Sequence, residues 1–328
     1  MTGSRVINRI VASLVAALAA AIWAYGPAYA EWAPQQPVQF VIMAGKGGGA
    51  DKMARMFKRI IEAEELSPVP FEPINMPDGD GAEALKFMMK NKGNPYVIMV
   101  TLNSFYTTPL RDPKLGIDVT TFTPVGRMAE DTFLLWVNSD TKISSLDEFL
   151  KAAAAKGNKW VMAGTGTGGE DNILTDFLNQ AYGLKMTYKP FKGGGAVAKE
   201  LVEKKADSTV NNPSEQDDYY LEGKTRPLAA FTPDRLENYP DVPSLREVGN
   251  DFSYFMQRSV VAAPGIPDDA ARYYQNLFKS VYESKLWQDY MNVNSLYGQF
   301  LTGEKLREYW GNERELHRKI LANGTKTN

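Results

Sequence analysis

Two glycine-rich stretches carry the residue types and spacing that could do chemistry. Gly45-Lys46-Gly47-Gly48-Gly49-Ala50-Asp51 and Gly164-Thr165-Gly166-Thr167-Gly168-Gly169-Glu170-Asp171-Asn172 each follow an apolar run and open into a helical pattern. Glycine lets backbone amides approach a ligand with no Cβ in the way. The first turn of the following helix adds unpaired N–H groups and the positive end of the helix dipole. Together these make an anion site. The candidate ligand residues are therefore Gly45, Lys46, Gly47 and Gly48 in the first turn, and Thr165, Gly166, Thr167, Gly168 and Asn172 in the second. Lys192, before a further triple glycine, could add a charge, while Asn103, Ser104, Asn212 and Pro213 stand at strand ends where uncharged donors could orient a ligand or simply cap helices. Lys46 has two readings, an ammonium neutralising a bound carboxylate or a solvated turn lysine.

Other chemistries lack their side conditions. Gly164–Gly169 fits G-x-G-x-x-G, but a dinucleotide site needs an acid at the end of the next strand, and Lys189-Pro190 stands there. For the first turn the next strand ends at Asn75, and neither turn is a G-x-x-x-x-G-K-[ST] phosphate loop. With no cysteine, disulfides, thiolate metal sites and a cysteine nucleophile drop out. The single histidine, His317, sits among Glu313, Arg314, Glu315 and Arg318 and reads as part of a solvated helix face. Asp217-Asp218 and Glu64-Glu65 read as surface charge. No constellation demands catalysis, so no catalytic residue, metal or cofactor is expected.

The elements that must position the two turns alternate strand and helix from Glu31 onward. Val38–Met43 is a short apolar run, as a strand buried on both faces should be. Met53, Met56, Phe57, Ile60 and Ile61 then form one face of a helix. Strands are expected at Phe71–Asn75, Tyr96–Thr101, Leu134–Val137, Trp160–Ala163, Met186–Pro190, Ser208–Val210 and Arg226–Ala230, with helices between them and a helical tail after Pro264. The alternation argues for doubly wound α/β lobes, with ligands at the carboxyl ends of the strands. The two glycine turns are expected to face each other across a cleft and share one carboxylate-bearing small molecule.

The N-terminus reads as an export signal: Arg5 and Arg9, an apolar run from Ile10 to Trp23, then Ala28-Tyr29-Ala30. Residues 1–30 are expected to be removed by cleavage after Ala30, leaving no stable membrane insertion. The remaining chain carries 35 Lys and Arg against 39 Asp and Glu, a net charge of −4. That acidic balance disfavours nucleic acid as a partner.

In this order the motifs resemble the substrate-binding proteins of tripartite tricarboxylate transporters, the Bug-type extracytoplasmic receptors. Val41 to Asp51 is similar to the family's V-V-P-F-A-A-G-G-G-A-D, with Met43 and Ala44 in place of Pro-Phe. Asn75 to Gly81 is similar to N-R-P-G-A-G-G, Thr121 to Val125 to D-F-x-P-V, and Lys189 to Gly193 to V-P-Y-K-G. Tyr239-Pro240-Asp241-Val242-Pro243-Ser244 with Glu247 and Gly249 resembles P-D-V-P-T-x-x-E-x-G, and Ala263 to Pro267 resembles A-P-x-G-T-P. The second turn departs from S-x-G-x-G-S-x-x-H-L: Gly164 and Gly169 replace serines and Asn172 replaces histidine.

The resemblance implies a two-lobed periplasmic binding-protein fold of the Venus-flytrap type, type II-like, each lobe a doubly wound sheet flanked by helices. Lobe 1 is expected at 31–132 plus 254–328 and lobe 2 at 133–253. It implies a monomeric, non-enzymatic periplasmic receptor that holds a small di- or tricarboxylate, or a related carboxylate, and docks transiently on membrane transporter subunits. A receptor feeding a membrane sensor kinase, or a secreted hydrolase or isomerase using the same cleft, are the alternatives.

Overall fold

The computed structural model describes residues 32–324. The export signal and its cleavage after Ala30 lie outside the described residues. The first lobe begins with β1 (Val38–Ile42), α1 (Gly49–Ala63), β2 (Phe71–Asn75), α2 (Ala82–Lys90), β3 (Val97–Thr101), α3 (Ser104–Arg111) and β4 (Thr123–Asp131). There follow β5 (Leu134–Asn138), α4 (Leu146–Lys156), β6 (Val161–Thr165), α5 (Glu170–Tyr182), β7 (Thr187–Phe191), α6 (Gly194–Val202), β8 (Ser208–Asn211), α7 (Pro213–Leu221) and β9 (Thr225–Ala230). The chain closes with β10 (Met256–Ala262), α8 (Asp268–Glu283), α9 (Lys285–Val293) and α10 (Gly303–Gly324). Among the described residues, no helix is long and apolar enough to cross a membrane.

Both sheets follow one plan. Their strand orders are β2-β1-β3-β10-β4 and β7-β6-β8-β5-β9. In each, the fourth strand runs against its neighbours: β10 is antiparallel to β3 and β4, and β5 to β8 and β9. That strand arrives from the other sheet, because β4 ends at Asp131 and β5 begins at Leu134, while β9 ends at Ala230 and β10 begins at Met256. This is the two-lobed α/β binding-protein architecture. The strands β4 and β10 and the helices α3 and α9 were not legible in the apolar pattern. β10 carries Gln257 and Arg258 inside its run, yet both are fully buried. Their polar groups find partners in Leu102, Asp131 and Asn212, so burial leaves the hydrogen bonds made.

Each lobe has its own core. In the first, Phe40 of β1 meets Phe71 edge-on at 5.9 Å, and Phe57 of α1 meets Phe278 of α8 at 5.6 Å. In the second, Leu135 and Val137 of β5 pack with Phe149, Met162, Leu174 and Leu228. Ser145 caps α4 by accepting from the Glu148 amide, as the serine and acidic first turn predict.

α10 straddles both lobes. Trp310 packs on Phe105 at 5.1 Å, while Ile320 and Leu321 lie against the second core. His317 belongs to this buried stripe rather than to a solvated face. It is 1% exposed, with Nε2 2.8 Å from the Tyr254 hydroxyl and Nδ1 2.8 Å from the Glu313 carbonyl. Its neighbours in sequence are charged, but Leu306, Trp310 and His317 share one helical face, and that face is covered.

Candidate functional site

A cavity of about 490 Å³ opens between the carboxyl ends of the two sheets, within the range of small-molecule sites. Its walls come from the turns that follow β1, β2, β6, β7 and β8, with Met256 and Arg258 of β10 at its base. The sequence-predicted residues Gly48, Thr165, Gly166, Thr167, Lys192 and Asn212 line it.

The glycine turns are built alike, each tied down by an aspartate from the first turn of its own helix. In the first lobe Gly47 N donates to Asp51 Oδ2 at 3.0 Å, and Asn75 Nδ2 donates to Oδ1 at 3.0 Å. Burial pushes the Asp51 carboxyl up, but hydrogen bonds from Arg55, Gly47 and Asn75 outweigh it and hold the group below the usual carboxylate range. In the second lobe Thr165 N and Oγ1 donate to Asp171 Oδ2 at 2.7 and 3.1 Å. There burial dominates, reinforced by Glu215, and the Asp171 pKa rises well above its ordinary value.

Side chains of the second lobe reach helix starts in the first. Gly49 N at the start of α1 donates to Glu215 Oε1 at 2.9 Å, and Ser104 N at the start of α3 donates to Glu170 Oε1 at 2.8 Å. Arg111 returns the reach: it pairs with Asp80 in its own lobe and donates from Nη1 to the Thr167 carbonyl at 2.6 Å. Burial raises Asp80 against the lowering pull of Arg111, and burial followed by the Asp80 charge raises Glu170. At the base, Arg258 holds Asp131 at 2.5 Å and donates to Asn212 Oδ1 at 2.9 Å, and Asn212 Nδ2 donates to the Thr132 carbonyl at 2.6 Å. Burial lifts Asp131 to about 6 even with the guanidinium beside it. The chamber offers a ligand backbone amides, carboxylates and guanidinium groups from both lobes.

The sequence profile of the tripartite tricarboxylate transporter family receptors matches residues 74–307, most of the chain. The chain belongs to this receptor family. BugT of Bordetella pertussis is 24% identical over 229 residues, which cover 68% of this chain and 69% of that protein. Among solved structures, the periplasmic binding protein BugD superposes with a TM-score of 0.84 at 18% identity, over 89% of this chain and 98% of its own. An R. palustris protein solved with adipate gives 0.83 at 20% identity, over 89% and 98%. Family membership makes the chain a transport receptor and not an enzyme.

Eight residues singled out by sequence lie off the receptor's cavity wall. Gly45 is buried against the second lobe, where an added Cβ would run into the Lys192 carbonyl, with the carbonyl carbon at 2.9 Å. Gly47 spends its amide on Asp51 and Gly168 spends its amide on Asn172 Oδ1. Lys46 is exposed and makes no ion pair among the described residues. Asn103 is buried, donating to the Phe255 carbonyl at 2.9 Å and accepting from Gln257 N at 2.9 Å. Ser104 and Pro213 open α3 and α7 as buried helix-start residues. Lys192, though on the wall, is 78% exposed at its side chain and pairs with Asp78 across the cleft. The residues that sequence reasoning missed are Asp80, Arg111, Glu170, Asp171, Glu215 and Arg258. The signal available was an acidic pair directly after a glycine turn, and an arginine inside an apolar run.

Proposed function

We propose that this receptor is a periplasmic solute-binding protein that closes on a small organic acid and delivers it to a membrane transporter of the tripartite tricarboxylate class. The observation that carries the reading is the pairing of two like-built glycine turns, one from each sheet, across a single chamber of about 490 Å³. Family membership supports it, as does the structural neighbour solved with adipate. The lobes are taken as 31–132 with 254–328, and 133–253, moving about the two crossings between the sheets. In this reading Gly48, Thr165, Gly166, Thr167, Lys192 and Asn212 meet the ligand, and binding favours the closed form because only there would both turns reach one molecule.

A thermal-shift screen of residues 31–328 against di- and tricarboxylates, aromatic acids and amino acids tests the reading. Ligand at a hundredfold excess over its dissociation constant should stabilise the protein by about 2.7 kcal/mol. No shift with any organic acid overturns it.

A further inference from the structure

Two glycine stretches meet backbone to backbone between the lobes. Gly45 to Gly49 leads into α1 in the first lobe, and Gly193-Gly194-Gly195 leads into α6 in the second. A Cβ on Gly193 would stand 3.2 Å from the Gly45 Cα, and one on Gly195 would stand 2.9 Å from the Gly47 carbonyl oxygen. A Cβ on Gly48 would stand 3.3 Å from the Gly194 nitrogen. Bare backbone on both sides therefore lets the starts of α1 and α6 close on each other. Each start carries amides that its own helix leaves without an acceptor, and the positive end of the helix dipole. Two such ends brought together repel.

One carboxylate stands between them. Glu215, in the first turn of α7, accepts from Gly49 N at 2.9 Å, from Asn212 N at the α7 cap at 3.2 Å and from Asn211 Nδ2 at 2.8 Å. It lies so close to α6 that a Cβ on Gly194 would overlap the carboxylate. The starts of three helices, one from the first lobe and two from the second, thus share a single anion. A neighbouring bond runs between the same helices: Lys52 Nζ of α1 donates to the Ser214 carbonyl at the start of α7. Glu215 lines both the chamber and a second cavity of about 520 Å³, whose wall includes Lys52, Gly195, Asp218 and Tyr219. Its side chain is part of the partition between the two spaces.

We propose that Glu215 is a latch: the carboxylate carried by the second lobe is the counter-ion that draws α1 shut against α6 and α7. The chain then favours its closed form with no anion supplied from outside. The inference rests on the two-lobe motion proposed above, and not on which solute the chamber takes. Hydrogen bonds from backbone amides to an ionised carboxylate are among the strong ones, and partial burial between the lobes limits their screening by salt. A larger closed population also lowers the free energy that a solute must supply for closure. The glycine at 194 is the seat of the latch, since any side chain there would push the carboxylate out.

Small-angle scattering of residues 31–328, dialysed exhaustively and with no solute added, tests the latch in wild type, Glu215→Ala and Gly194→Ala. Both variants should have a larger radius of gyration than wild type, with unchanged far-UV circular dichroism. Gly194→Ala keeps the carboxylate and puts alanine into a helix, where it is favoured over glycine, so its opening would not come from a weakened α6. Sodium formate, an untethered carboxylate, should return Glu215→Ala to the wild-type radius along a saturable curve. Sodium chloride at the same ionic strength should not, and formate should leave Gly194→Ala open because the methyl group fills the seat. Equal radii in wild type and both variants overturn the latch. Chloride acting as well as formate assigns the recovery to screening and overturns it too. An open Glu215→Ala that formate does not close overturns the role of the carboxylate as counter-ion. Should Glu215→Ala fail to fold, a Gly194→Ala radius equal to that of wild type overturns the latch by itself. Failure of every organic acid in the thermal-shift screen overturns the solute reading and leaves these radii, and with them the latch, in place.

Discussion

The Gly49 amide and the Glu215 carboxylate, 166 residues apart, meet across the cleft at 2.9 Å. The first helix of the first lobe therefore has a capping anion supplied by the last helix of the second. A free N–H at a helix start is a ready anion site; here one is filled by the chain itself. Lobe contact is thus written into the same groups that a ligand would use.

That contact predicts a specific loss in Glu215→Gln. The amide keeps one oxygen for Gly49 but turns an NH₂ toward Asn211 Nδ2 and Asn212 N, both donors in the native structure. Leaving such buried groups unpaired costs about 1–3 kcal/mol. Urea unfolding should show the drop in stability, and an unchanged midpoint would rule out this role for Glu215.

Gly45→Ala should keep the lobes apart. The added Cβ would press into the backbone of Lys192 and Gly193, which cannot swing aside as a side chain could. Small-angle scattering should report a larger radius of gyration than wild type under the same conditions, with the helical signal retained. Equal radii would show that closure tolerates the methyl group.

His317 makes stability fall with acid. Burial drives its pKa down from 6.5 to about 4, against the upward pull of the Glu313 carbonyl. A base whose folded pKa lies below its unfolded value contributes stability that is complete above pH 6.5 and is lost as pH falls toward 4. The span is worth about 3 kcal/mol. Burial raises Asp131 and Glu170, which act in the opposite sense, so the comparison must be with a variant that retains them. Unfolding free energies of wild type and His317→Gln at pH 7 and pH 4.5 should converge at the lower pH. Parallel pH profiles would show that the ring does not titrate this way.

Lys46→Ala should leave ligand affinity within about twofold. The side chain is exposed and away from the chamber wall, and screened surface charge of this kind is worth about 0–1 kcal/mol. A tenfold loss by calorimetry would return Lys46 to the ligand.

Elements and their order were readable from the chain because they follow local rules. Val38–Ile42 is a continuous apolar run, Phe57, Ile60 and Ile61 repeat at helical spacing, and glycines stand where a strand turns into a helix. The two glycine turns and the α/β class followed from that, and the motif order pointed to the family. Tertiary structure alone decided what the polar groups do. Glu170 and Glu215 look like ordinary first-turn acids until the lobes meet and aim them at amides 66 and 166 residues away. Arg258 interrupts an apolar run and hides β10 because its partners, Asp131 and Asn212, come from distant segments. His317 reads as solvated beside Arg318 and Glu315, and only the packing of α10 on both lobes buries it. Periodicity is a property of neighbours along the chain, whereas the charge of the chamber is set by side chains that only folding brings together.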